Sequence, residues 1–286
     1  MTDSKYRLGL ALITASAVAW STAGLFTRIL ALNGWTMLVW RGLFGALGIA
    51  AFMAVLEGRE GWASAFRMGW PGLLFAVCSA IGMLFFISSL THTTVAHVAV
   101  IYATVPFIAA ALAWLFLGEK PAASALVAST AAFAGVALMV GLSVEGTLLG
   151  DLLAFGMTLS VSAMTVIARC FSNISVLSAA GLSALLSAVV SWPLGEPLAV
   201  NGHELLVLAL FGVVNSAVGL GLFTVGARFL PAIETALIGS LDAPLAPLWV
   251  WLAFDETPST ITLIGSLVVF TAVGVHLVVS AMRPRA

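Results

Sequence analysis

Residues 79–121 read SAIGMLFFISSLTHTTVAHVAVIYATVPFIAAALAWLFLGEKP, and residues 216–258 read SAVGLGLFTVGARFLPAIETALIGSLDAPLAPLWVWLAFDETP. A shift of 137 residues aligns the two stretches without a gap. The identical pairs include Ser79 with Ser216, Gly82 with Gly219, Phe86 with Phe223, Ile101 with Ile238, Trp114 with Trp251, Glu119 with Glu256 and Pro121 with Pro258. The chain therefore contains an internal repeat, and this repeat decides the fold because one structural unit is used twice.

The repeat also covers the first helix of each half. A slightly larger shift of 141 residues aligns Gly9 with Gly150, Leu12 with Leu153 and Arg28 with Arg169. We therefore assign residues 1–145 to a first repeat unit and residues 146–286 to a second.

The composition requires a lipid environment. Of the 286 residues, 62% are hydrophobic and 8% are charged, and the mean hydropathy is +1.15. Soluble proteins carry about 25% charged residues, so the polar surface that keeps a fold of this size in water is missing. Apolar runs of about 20 residues, the length that a helix needs to cross hydrocarbon, predict ten helices. They cover about residues 8–30, 36–56, 70–90, 94–117, 123–142, 149–170, 175–194, 205–228, 232–253 and 260–281.

Each repeat unit contains five of these helices. Because five is an odd number, the second unit enters the membrane from the side opposite to the first, and the repeat is inverted. The predicted fold is therefore an all-α membrane protein with ten transmembrane helices arranged as two inverted five-helix repeats. Secondary transporters are built in this way, and they bind their solute near the membrane midplane at the repeat interface.

The basic residues predict the orientation of the chain, because Lys and Arg accumulate in cytoplasmic loops. With the N-terminus in the cytoplasm, nine of the eleven basic residues lie on the inner side: Lys5, Arg7, Arg59, Arg67, Lys120, Arg169, Arg228, Arg283 and Arg285. The other two, Arg28 and Arg41, fall near outer helix ends, where we expect them to extend to the interface or to form salt bridges. Both termini are expected to be cytoplasmic.

The ten spans, the five-plus-five repeat and a Glu-x-Pro segment after the fourth and ninth helices resemble the drug/metabolite transporter superfamily, in its EamA-type branch. The resemblance implies cytoplasmic termini and a central cavity lined by the first, third, fourth, sixth, eighth and ninth helices, with the fifth and tenth at the periphery. In size and in its aromatic-bearing helices, the chain is also similar to bacterial amino-acid exporters of the YddG type.

These features predict a secondary transporter in a bacterial cytoplasmic (inner) membrane that exports a small organic solute by alternating access. Neutral or aromatic amino acids are the expected solutes, and drugs or other metabolites such as nucleosides are the alternative. Coupling to protons and downhill flow of the solute are both compatible with the sequence. We expect a monomer in the lipid bilayer that uses no cofactor and no metal. A net charge of −1 gives no basic patch for nucleic acid.

Asp242 is the first candidate for the solute site. It lies near the middle of the ninth helix, in the segment 239–247 that reads GSLDAPLAP. Charged groups inside a span are costly and indicate function, and Pro244 and Pro247 are expected to interrupt the helix there. Asp242 then serves either as a proton or substrate-ammonium site or as a hydrogen-bonded residue that stabilises the kink.

Tyr102 is the matching candidate on the fourth helix. The repeat aligns Tyr102 with Gly239 and places Pro106 next to the position that matches Pro244. We therefore expect the fourth helix to be interrupted at a corresponding depth, and paired interruptions indicate the binding site of a transporter. Tyr102 offers a ring face and a hydroxyl group to a solute, or packs as an ordinary buried tyrosine.

His97 and Glu234 occupy equivalent positions near the starts of the fourth and ninth helices, and one is expected on each side of the membrane. They are candidates for gating or for proton coupling, and the alternative is that each caps a helix start. Five further residues are candidates for the cavity because they are large or polar and lie inside their spans: Trp20, Met83, Phe86, Met164 and Asn215.

An intramembrane enzyme and a channel are the competing classes of function. The chain has no His-Glu-x-x-His or Gly-x-Ser-x-Gly motif and no paired intramembrane aspartates, and its four histidines lack metal-ligand spacing. A channel is usually a symmetric pore assembly or carries rings of charged side chains, whereas an inverted repeat within one chain favours alternating access. The sequence therefore predicts a transporter and no enzyme.

Overall fold

The computed structural model describes residues 3–56, 68–141, 147–171 and 175–282. Within these ranges ten helices are long and apolar enough to cross a membrane, which confirms the predicted number. The predicted boundary between residues 145 and 146 lies outside the described residues, as do Arg59, Arg67, Arg283 and Arg285.

The ten helices are labelled in chain order, and a label with a or b denotes one segment of an interrupted helix. They are α1a Asp3–Ser21, α1b Ala23–Ile29, α2 Gly34–Leu56, α3 Gly69–Leu90, α4a Val95–Tyr102, α4b Val105–Leu117, α5 Ala123–Val140, α6 Leu148–Cys170, α7 Val176–Ser191, α8 Gly202–Gly226, α9a Ala232–Gly239, α9b Asp242–Phe254 and α10 Thr260–Met282. Because the chain crosses the bundle an even number of times, Asp3 and Met282 lie at the same end. We call this the proximal end and the other the distal end.

The packing of the helices follows the two-fold symmetry of the repeat. Under this symmetry α1 corresponds to α6, α2 to α7, α3 to α8, α4 to α9 and α5 to α10. The helices α2 and α7 pack on each other, as do α5 and α10. The contacts of α6 with α3 and α4 are matched by those of α1 with α8 and α9. The structure is thus built from two inverted five-helix units, each of which supplies half of every central contact.

The helices α4 and α9 are interrupted at the same place in the repeat, which confirms the expectation for the fourth helix. In α4 the amide of Thr104 donates to the carbonyl of Ile101 at 3.1 Å, and in α9 the amide of Leu241 donates to that of Ile238 at 3.1 Å. These are shorter-range bonds than the i to i−4 bonds of an α-helix. They tighten the backbone into a turn at 103–104 and at 240–241.

The interruption of α9 lies before the prolines that were expected to cause it. Pro244 is the third residue of α9b, and Pro247 lies inside that segment without ending it. Proline is tolerated in the first turn of a helix because the amides there have no intrahelical partner. Pro244 therefore starts the second segment, as Pro106 does in α4b.

The pair α5 and α10 crosses closely because glycines lie at the contact. A Cβ atom added at Gly265 would lie 2.5 Å from the carbonyl oxygen of Gly135, a backbone atom that no change of rotamer can move. On the same helix, a Cβ added at Gly274 would meet nothing within 4 Å.

We expect Gly265→Ala to lower the free energy of unfolding by about 1–3 kcal/mol, the usual cost of overpacking, when purified protein is unfolded by denaturing detergent. Gly274→Ala is the matched control and should leave stability unchanged or slightly raised, because alanine favours the helix. Equal shifts in the two variants would contradict the close crossing.

Candidate functional site

The two halves depart from their symmetry where α4a and α9a lie. Besides α1, the segment α9a packs on α4b, α5 and α6 at the proximal end. The symmetry-related segment α4a packs on α3, α5 and α6. Within the described residues it makes no comparable contact with α9b, α10 or α1, which the symmetry would require. The same element is therefore used in two different packing arrangements.

Burial agrees with this difference in packing. Residues 232–238 of α9a are all buried, whereas residues 99–102 of α4a keep partial exposure. At the proximal end α9a therefore packs on α4b, beside a cavity that Glu119, Arg169 and Glu234 help to line, whereas at the distal end the described residues of α4a and α9b are not packed on each other. We call the space between α4a and α9b the distal cleft.

The floor of the distal cleft is formed at the two helix interruptions. A Cβ atom added at Gly239 would meet nothing within 4 Å, so this backbone borders open space. Asp242 keeps partial exposure although protein surrounds it. The carboxyl group of Asp242 lies within Coulombic range of Tyr102. The structure therefore brings together the two residues that the repeat places at its paired interruptions.

Asp242 is the first residue of α9b, where helix amides have no intrahelical partner. Its carboxyl group accepts a hydrogen bond from the backbone amide of Ala243. The positive end of a helix dipole favours a negative charge at this place. The geometry allows Asp242 to stabilise the start of α9b and to face the cleft at the same time.

Trp20 and Asn215 belong to one network between α1 and α8. The indole nitrogen of Trp20 donates to the backbone carbonyl of Asn215 at 3.0 Å, and the Trp20 ring lies 5.0 Å from that of Phe223. Asn215 is buried in a stretch of α8 with π-helical hydrogen bonding, Gly212–Leu220. Stretches of this kind are frequent at functional sites.

Arg41 is the residue that the sequence placed wrongly. It was expected to extend to the interface or to form a salt bridge, but it is 8% exposed. Its guanidinium group donates to Asn215 Oδ1 at 3.2 Å and to Met83 Sδ at 2.8 Å, and no carboxylate among the described residues pairs with it. A signal was present in the sequence, since seven residues from the start of α2 amount to about 10 Å of helix, too deep for an interfacial anchor.

The remaining cavity candidates are placed differently from one another. Phe86 is partly buried and packs beside Tyr102 against a cluster that contains Val98 and Met157. Met164 is 4% exposed and belongs to the main hydrophobic core. Met83 contacts the Arg41 guanidinium through its sulfur.

His97 and Glu234 lie at opposite ends of the bundle, as the inverted repeat requires. At the distal end, Nδ1 of His97 lies 3.0 Å from Oδ1 of Asp151 on α6. At the proximal end, Glu234 is 5% exposed; it accepts a hydrogen bond from the hydroxyl of Tyr6 at 2.6 Å and lies 3.7 Å from Nε2 of His276. Each residue therefore joins α4 or α9 to the first helix of the other half.

Two ion pairs between the halves are also related by the repeat. Arg28 at the end of α1b pairs with Glu256 after α9b. Arg169 at the end of α6 pairs with Glu119 after α4b, at 2.6 Å from Nε to Oε1. The first pair is at the distal end and the second at the proximal end, so two equivalent salt bridges connect the two halves, one at each end of the bundle.

Comparison with known proteins agrees with this architecture. The EamA-like transporter family matches the chain twice, at residues 7–141 and at residues 148–278. One protein of known crystal structure is similar in fold, with a TM-score of 0.82 and 21% sequence identity over 98% of this chain and 99% of that one. No curated protein matches the chain. Because the two matches cover nearly the whole sequence, one on each repeat, the chain belongs to the EamA-like transporter family, within the drug/metabolite transporter superfamily.

Proposed function

We propose that this protein is a secondary transporter that exports neutral or aromatic amino acids, or closely related metabolites, by alternating access. The proposal rests on the unequal packing of α4a and α9a. These segments are equivalent in the repeat, but α9a closes the proximal end while α4a leaves the distal end open. If the two segments exchange their packing, the cleft closes at the distal end and opens at the proximal end.

The orientation and location of the protein are part of the same proposal. With cytoplasmic termini in a bacterial inner membrane, the proximal end faces the cytoplasm and the distal cleft faces outward. The basic residues support this orientation, since Lys5, Lys120 and Arg169 all belong to the proximal end. We take the functional unit to be a monomer, because one chain supplies both halves of the cleft.

The side chains around the cleft favour an amphipathic solute. Tyr102, Phe86 and Trp20 provide aromatic surface, and Asp242 provides a negative charge that suits an ammonium group or a proton. Pockets with apolar walls and a few polar groups fix the orientation of such solutes. Drugs and nucleosides share part of this chemistry and are the second class to test. An enzyme or a channel is disfavoured because the family consists of transporters.

Transport of amino acids can be tested in proteoliposomes. Vesicles that contain the purified protein and unlabelled phenylalanine should take up labelled phenylalanine in a saturable manner. This uptake should be faster than in vesicles without internal solute, because one-for-one exchange requires neither net movement of charge nor a gradient of total solute. The absence of saturable flux for every neutral and aromatic amino acid would exclude this solute class.

The position of the cleft can be tested with two glycine variants. Gly239→Trp places an indole in the open space at the floor of the cleft and should reduce exchange at least tenfold. Gly274→Trp is the control, because Gly274 also borders open space but lies on the peripheral helix α10. Exchange at the wild-type rate in Gly239→Trp would show that solute does not pass this point.

Proton coupling can be assigned to Asp242 by substitution. With one proton moved per solute, a gradient of one pH unit changes the accumulation of solute about tenfold, since one unit corresponds to about 1.36 kcal/mol. Asp242→Asn should keep exchange and lose this response. Asp255→Asn removes an exposed carboxylate at the distal end of the same helix and should keep the response to the pH gradient. If wild-type flux does not change with the pH gradient, the solute moves without protons, and the role of Asp242 is to stabilise the start of α9b.

A further inference from the structure

Arg41 is the one Lys or Arg side chain among the described residues that is more than nine-tenths buried. It projects from α2, which packs against α7 and α8. Its guanidinium group lies between α3 and α8, where it contacts Met83 on α3 and Asn215 on α8. It also lies over the ring of Phe211 on α8, at 5.4 Å from the ring centre.

The contacts of this guanidinium group do not balance its charge. A guanidinium has five N–H donors, but among the described residues its hydrogen-bond acceptors are a neutral amide oxygen and a thioether sulfur, and sulfur is a weak acceptor. The Nε atom of Arg41 is buried without a hydrogen-bond partner. A buried charge without a counter-charge is strongly unfavourable inside a membrane protein. The guanidinium group therefore retains N–H donors that an anion could use.

Asn215 is oriented to leave the guanidinium group available. Its amide nitrogen donates to the backbone carbonyls of Ala19 at 3.4 Å and Trp20 at 3.3 Å, so its oxygen must point toward Arg41. The π-helical stretch of α8 places this side chain between α1 and Arg41. Asn215 is thus a positioning residue that holds Arg41 without neutralising it.

The surroundings of Arg41 indicate which anion would fit. Phe211, over which the guanidinium group lies, stacks on Phe26 at a ring separation of 5.0 Å. Trp20, whose indole nitrogen donates to the backbone of Asn215, lies tilted at 5.0 Å from Phe223. Aromatic surface therefore lies next to the charge and next to the residue that holds it. A planar carboxylate can accept two parallel hydrogen bonds from a guanidinium group. An apolar or aromatic body attached to that carboxylate would pack on the neighbouring rings.

We propose that Arg41 is the subsite for the carboxylate group of the transported solute, a role that rests on the proposed function as an exporter of amino acids or related metabolites. The solute's carboxylate binds the free N–H groups of Arg41, and its apolar side chain lies along the aromatic residues of α1 and α8. A solute without a carboxylate lacks this contact and is rejected.

The proposal is tested with three probes that share a phenyl ring: phenylalanine, 3-phenylpropionate, which lacks the amine, and phenethylamine, which lacks the carboxylate. Binding is measured as thermal stabilisation of the purified protein, and transport as inhibition of phenylalanine exchange. Phenylalanine and 3-phenylpropionate should both bind, and phenethylamine should bind at least tenfold more weakly. Equal binding of all three would overturn the proposal.

The decisive variant is Asn215→Asp, which places a fixed carboxylate 3.2 Å from the guanidinium group. It should weaken the binding of 3-phenylpropionate at least tenfold, because the internal carboxylate takes the place of the external one. The melting temperature without ligand does not serve as the readout, since the variant also loses the two hydrogen bonds that the Asn215 amide donates to Ala19 and Trp20. Unchanged binding of 3-phenylpropionate would mean that Arg41 is structural only. Asn33→Asp adds the same charge at an exposed residue and should leave this binding unchanged.

Two variants of Arg41 and two further outcomes distinguish a failure of this proposal from a failure of the proposed function. Arg41→Lys keeps the charge and should bind carboxylates more weakly than wild type, while Arg41→Gln should lose the discrimination against phenethylamine. If no probe is transported but 3-phenylpropionate still stabilises wild type and not Asn215→Asp, the carboxylate subsite stands and the proposed function fails. If chloride stabilises the protein as well as 3-phenylpropionate does, the anion is inorganic and the proposal is wrong.

Discussion

In hydrocarbon every backbone amide and carbonyl must find its partner within the protein, and this constraint governs where the structure departs from regular helix. The chain interrupts α1 at Thr22, α4 at 103–104 and α9 at 240–241, and it changes to π-helical bonding in α8. All four places lie on central helices, away from the peripheral pair α5 and α10. Irregular backbone is thus confined to positions where other helices or an aqueous cleft can satisfy it.

Buried charge follows the same logic. Glu234 accepts a hydrogen bond from the hydroxyl of Tyr6 and lies near His276 at the proximal end, whereas Arg41 and Asp242 have no ion-pair partner among the described residues. The charge at the proximal end is therefore satisfied by protein. In the proposed function the two charges in the middle of the bundle interact with the solute or a proton, because a site that is fully satisfied by its own protein has no affinity left for a solute.

The sequence predicted the number of helices, their inversion and the paired interruptions, because each depends on local hydrophobic length or on the repeat itself. It did not predict the burial of Arg41, since the direction of that side chain depends on how α2 packs against α7 and α8. The unequal packing of α4a and α9a could not be predicted either. Two segments with the same pattern fit both arrangements, and contacts between distant helices select one.

The pairing of Tyr102 with Gly239 has a kinetic consequence. Because a tyrosine and a glycine occupy equivalent positions, the exchange of packing arrangements that we propose would not produce a symmetry-equivalent cleft. In this structure Tyr102 lies on the segment that is not packed at the centre, and after the proposed exchange it would lie on the packed segment. Under the proposed mechanism the half-saturation concentrations at the two membrane faces are expected to differ, and in an uncoupled carrier the equilibrium between the empty states compensates for the difference, so that no solute is accumulated without a gradient.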